Sequence, residues 1–136
     1  MREDALVDRR WCLAEALRER DPECTDGNLQ AARDKAHHAP LLIAVIARLS
    51  PSEPHIHSME RMVSVGAAVQ NILLAANALG FGSGLASGQA MASPFMRALF
   101  ALEEGEEAVS FIHVGTVTRH KEPRVRPAIE TFVSRL

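Results

Sequence analysis

The segment from about Ile56 to Leu79 constrains this chain most: it reads as one long helix whose latter two thirds are apolar nearly all round. Val63, Ala67, Val69, Ile72, Leu73, Ala75, Ala76 and Leu79 do not share one stripe, and a helix hydrophobic on every side must be buried on every side. Gly66, Ala67 and Ala68 leave a flat surface where another backbone can come close. Gly80 stands where a terminating glycine is favoured. A chain of 136 residues is the size of one domain, here taken as residues 1–136, and has few elements with which to wrap such a helix. A partner subunit is the natural cover.

The elements on either side follow from spacing and punctuation. Arg2 to Arg20 mixes charge with Leu6, Leu13 and Leu17, which form one stripe of an amphipathic helix ended at Asp21-Pro22. A second helix is expected from Thr25-Asp26, good capping residues, to about His37, with Pro40 stopping it. Leu41 to Ala47 is a continuous apolar run and reads as a strand buried on both faces. After the long helix, the glycines at 80, 82, 84 and 88 bracket a possible short strand. Ser93 and Pro94 open a short helix to about Leu102, because serine caps and proline suits the first helical position. Glu103 to Glu107 reads as a solvated acidic turn, and Ala108 to Val117 as a second strong strand. The tail is basic and broken at Pro123 and Pro127, with a short helix after it.

Composition narrows the function classes. A net charge of -2 provides no basic footprint for nucleic acid. Cys12 and Cys24 are too far apart for a CxxC motif, and no zinc-finger spacing occurs, so no metal site is expected. Reduced thiols, an N-terminus without an apolar signal core and apolar stretches too short or interrupted to span a bilayer imply a cytoplasmic location without membrane insertion.

The glycine-dense stretch is no phosphate loop: it follows a helix, at that helix's negative end, and carries no Walker-type lysine. Its glycines imply a backbone that turns tightly and passes close to something flat or bulky. His55, His57, His37 and His38 read as surface or capping histidines, and His113, inside a strong strand, as a satisfied core histidine. Gly82-Ser83-Gly84 lacks the spacing of a nucleophile elbow. No side-chain acid, base or nucleophile stands out, so no catalytic residue is assigned; either the chain is no enzyme or a cofactor carries the chemistry.

Taken in order, Ala39-Pro40 and its apolar strand, the helix stretch Ser64 to Ala76, Leu79-Gly80-Phe81-Gly82-Ser83, Ser87-Gly88, Ser93-Pro94 with Arg97 and Leu99, and the strand end Val114-Gly115-Thr116 closely resemble the nitroreductase family. The resemblance runs from about Lys35 to Val117. It implies an α+β fold, an antiparallel sheet flanked by helices, and a homodimer with the long helix in its core. It also implies FMN at the dimer interface, passing hydride from NAD(P)H to a nitroaromatic, quinone or related acceptor. By position, Leu85, Ala86, Ser87 and Gly88 would pass beside the flavin, and Arg124 and Arg126 resemble the basic residues set against its phosphate.

Family members usually begin with an Arg-Arg-Ser-x-Arg-like motif and a Pro-x-x-x-x-Gln-Pro-Trp-like segment, and neither is present here. Arg9-Arg10-Trp11 instead falls inside a charged helix, read as the one that follows the first strand of the family. The expectation is therefore a nitroreductase-like domain truncated at its N-terminus. Its alternative function is that of a non-catalytic dimeric remnant, binding flavin weakly or not at all.

Overall fold

A computed structural model describes residues 14–34, 39–49, 55–118, 122 and 125–134. Two helices come first: α1 over residues 14–20 and α2 over Asp26–Asp34. Thr25 caps α2 through its hydroxyl, which accepts from the Asn28 amide at 3.3 Å. Leu29 and Ala32 are its buried residues, spaced three apart on one face. Leu6 and Leu13 of the proposed stripe, His37 and His38 lie outside the described residues.

Three strands, β1 (Leu41–Arg48), β2 (Gly82–Ala86) and β3 (Glu106–Gly115), form one antiparallel sheet in the order β1-β3-β2. The fold is α+β. Strand β3 begins two residues before the expected start, so Glu106 and Glu107 belong to the sheet and not to a free acidic turn. The reason is an anchoring network. Arg48, paired with Glu106 across the β1–β3 ladder, donates to its carboxylate at 2.8 Å. Arg97 donates to the carbonyls of Glu106 (2.9 Å) and Glu103 (3.0 Å). The hydrogen bond from Arg48 holds the Glu106 carboxyl below the ordinary glutamate range.

A bulge lies where Val45 pairs with Ser110 and Ile46 with Ala108, which leaves Val109 as the extra residue on β3. It brings Ile46 and Ala108 onto the same side as Ala44 and Phe111. There they meet Met91, Met96 and Phe100 in the main apolar cluster, with the Phe100 and Phe111 rings 6.0 Å apart. Met96 comes from α4 (Pro94–Leu99), capped by Ser93, whose hydroxyl accepts from the Met96 amide at 3.2 Å. Before α4 a 3₁₀ turn, Gln89–Ala92, carries the chain off the end of β2. Among the described residues of the tail there is a 3₁₀ turn, Ile129–Thr131, where a short helix was expected.

The other side of the sheet receives α3 (Ser58–Ala78). His57 caps it, its Nδ1 accepting from the Met59 amide at 3.3 Å, in keeping with the capping role read for that histidine. Gly80, at φ 82°, ends it in the left-handed region, and the Gly80 and Phe81 amides donate to the carbonyls of Asn77 and Ala76. All-round burial does not occur within one chain: of the 21 residues of α3, Ala76 alone is buried. Val63 and Leu74 are 72% and 58% exposed. Strand β1 is likewise incompletely covered, with Ala47 its one buried residue. No described helix is long and apolar enough to cross a membrane.

Gly115, at the end of the central strand, is required by packing. A Cβ there would stand 2.7 Å from Cδ of Pro40. Gly115→Ala should therefore cost about 1–3 kcal/mol through overpacking. A urea midpoint equal to that of the parent chain would show that Pro40 yields without cost.

Candidate functional site

On the cluster side of the sheet, the exit of β2 and the 3₁₀ turn enclose a cleft of about 240 Å³. Its lining is drawn from four elements. Strand alternation turns Leu42 of β1 and Phe111 and His113 of β3 to the same face, where Leu42 pairs with His113 and Ala86 of β2 with Phe111. The chain leaving β2 adds Ser87, Gly88, Gln89, Ala90 and Met91, and Arg20 at the end of α1 closes one side.

The cleft is apolar below and polar at its rim. Met91 and Phe111 are buried, whereas Arg20, Ser87 and Gln89 are exposed. Gly88 has φ 157° and ψ -178°, a region adopted essentially by glycine, and a Cβ built on it would stand in open space. The backbone at Ser87-Gly88 is thus bare and available for close approach. An apolar floor, an uncovered backbone edge and a few convergent polar groups suit a flat ring system. Described residues here include no nucleophile paired with a base. The described lining is equipped to bind and orient a ligand.

The structure separates the residues singled out in the sequence. Ala86, Ser87 and Gly88 line the cleft together. Leu85 pairs with Ile112, and alternation turns it to the opposite face, where it is 54% exposed. Arg126 lies exposed in the tail and is not part of the lining, and Arg124 lies outside the described residues. Sequence reasoning missed Arg20, Leu42, Phe111 and His113. Period-two alternation could have grouped the three strand residues. Nothing local marks Arg20, which arrives through the packing of α1.

On the α3 side a second, more open groove of about 450 Å³ runs between β1, the end of β3 and the last turns of α3. Leu41, Ile43, Ile72, Leu79, Phe81 and Val114 are among its walls, so it is almost wholly apolar.

The sequence pattern of the nitroreductase family matches residues 4–116. This chain belongs to that family. The match takes in α1 and α2 as well and so begins well before Lys35. A Haemophilus influenzae protein whose name assigns it to the NAD(P)H nitroreductases is 31% identical over 98 residues, 72% of this chain and 53% of that protein. An Escherichia coli K12 protein, YdjA, named in the same way, is 34% identical over 91 residues, 67% of this chain and 49% of its own. The chain thus spans about half the length of these curated relatives.

The fold is shared with solved structures, of which two serve as examples. The nitroreductase-like family protein from Bacillus cereus superposes with a TM-score of 0.69 at 20% identity, covering 100% of this chain and 86% of that one. The NADPH:FMN oxidoreductase of Vibrio harveyi, solved with NAD+, gives 0.67 at 18% identity, covering 96% of this chain and 54% of that one.

Proposed function

We propose that this chain is a subunit of a homodimeric NAD(P)H oxidoreductase of the nitroreductase type, with FMN as its prosthetic group and a nitroaromatic, quinone or related molecule as acceptor. The observation that carries the reading is the cleft, in which Ala86, Ser87 and Gly88 meet an apolar floor, with no acid–base pair among the described lining residues. Bound FMN would supply the redox chemistry that these side chains lack. The residues present fit its ring. Met91 and Phe111 would carry the flat face, and the Ser87-Gly88 backbone would meet an edge. Arg124 and Arg126 remain the proposed phosphate partners, and Arg20 is a further guanidinium already at the rim.

Absorbance of the purified chain in the blue tests this first, because bound oxidised flavin is coloured. Ala86→Phe should fill the cleft and abolish flavin binding with the circular dichroism of the fold unchanged. Replacing Arg124 and Arg126 by alanine should weaken FMN roughly tenfold or more while sparing riboflavin, since a charged hydrogen bond contributes about 1.5–3 kcal/mol and only FMN carries the phosphate. Equal loss of both ligands would remove the tail arginines from the site. The second reading, a dimer of this fold without flavin, is favoured by one observation, the place of Arg126 outside the cleft lining. A colourless dimer that takes up no added FMN would establish it.

A further inference from the structure

His113 was expected to be a satisfied core histidine, and the structure places it otherwise. Its side chain is half-buried in the cleft wall, and no described group hydrogen-bonds to its imidazole. Its neighbours on the same face explain why. On one side stands Leu42, which can offer no hydrogen bond, and on the other Gly84, which has no side chain. A Cβ built on Gly84 would meet nothing within 4 Å, so that flank of the ring is uncovered. The imidazole carries one donor and one acceptor when neutral, and neither ring nitrogen is among the described atoms sealed from solvent, so both are open to a group that enters the cleft. Other polar lining residues, Arg20, Ser87 and Gln89, are exposed at the rim and hydrated whether or not anything binds.

We propose that His113 is the polar anchor of the cleft, hydrogen-bonding the edge of a planar heterocycle that presents a ring nitrogen or carbonyl. This rests on the reading of the cleft as the place of a flavin ring. It adds that ring recognition is divided. Met91 and Phe111 give sequence-tolerant apolar contact, and His113 selects a ring with a hydrogen-bonding edge over a hydrocarbon of the same shape. The anchor acts on the ring and not on the phosphate, so its contribution should be the same for every ligand that shares the ring.

The experiment is a fluorescence titration of the full chain, His113→Phe and His113→Gln with FMN, riboflavin and lumiflavin, paired with imidazole NMR signals assigned by their absence in His113→Phe. His113→Phe should weaken all three ligands by a similar factor, about tenfold. His113→Gln, which keeps a donor and an acceptor, should restore much of the loss. The His113 ring signals of the unmodified chain should shift on addition of lumiflavin, which has neither ribityl chain nor phosphate. Unchanged affinity in His113→Phe together with unshifted ring signals would overturn the role of His113 and leave the cleft as a flavin site. Failure of the unmodified chain to bind any of the three would remove the flavin reading itself, and this proposal with it.

Discussion

Leu74→Glu should convert a homodimer of this chain into a folded monomer. Leu74 is 58% exposed on α3 of the single chain, so a charge there meets water and not a core. Met59, Val63 and Leu74 of the helix, and its capping residue Leu79, are nevertheless all more than half exposed, and large exposed apolar surface marks an interaction site. A twofold interface uses the same patch on both subunits, so the substitution counts twice. Burying a leucine contributes about 1.5–3 kcal/mol, and losing two corresponds to a dissociation constant weakened by roughly two to four orders of magnitude. Sedimentation equilibrium reads this directly. A parent chain that is monomeric at high concentration, or a variant that dimerises as the parent does, would show that α3 is not the interface.

Met96→Ala should be the most destabilising single truncation, by about 2–5 kcal/mol in urea unfolding. Met96 is fully buried under the sheet, where the cluster of Met91, Phe111 and Phe100 leaves little freedom to collapse into the space. Loss should appear in the midpoint with an unaltered slope. A cost below about 1 kcal/mol would mean that α4 can move inward to refill the cavity.

How much of this was legible in the sequence depended on whether the deciding interaction was local. The start of α4 was, because Ser93 and Pro94 act within one turn. So was the end of α3, where Gly80 adopts the positive φ that the termination needs. The apolar composition of α3, set against the shortness of the chain, pointed to a helix that its own chain leaves uncovered, and the exposure of α3 agrees, whereas what covers it involves a second molecule and is not written in spacing. The start of β3 was misjudged because Glu106 looks like surface charge until Arg48, 58 residues away, is placed beside it. The cleft was half legible. Ala86 to Gly88 were reached through the family resemblance, whereas His113 and Arg20 depend on strand register and on the docking of α1, which no spacing in the sequence reveals.

Whether the cleft beside Ala86, Ser87 and Gly88 holds a flavin is decided by a crystal structure of the chain soaked in FMN. The expected result is an isoalloxazine ring over Met91 and Phe111, with the Ser87-Gly88 backbone along one edge and the ring within reach of His113. FMN bound against any other surface, or an empty cleft at saturating FMN, would contradict it.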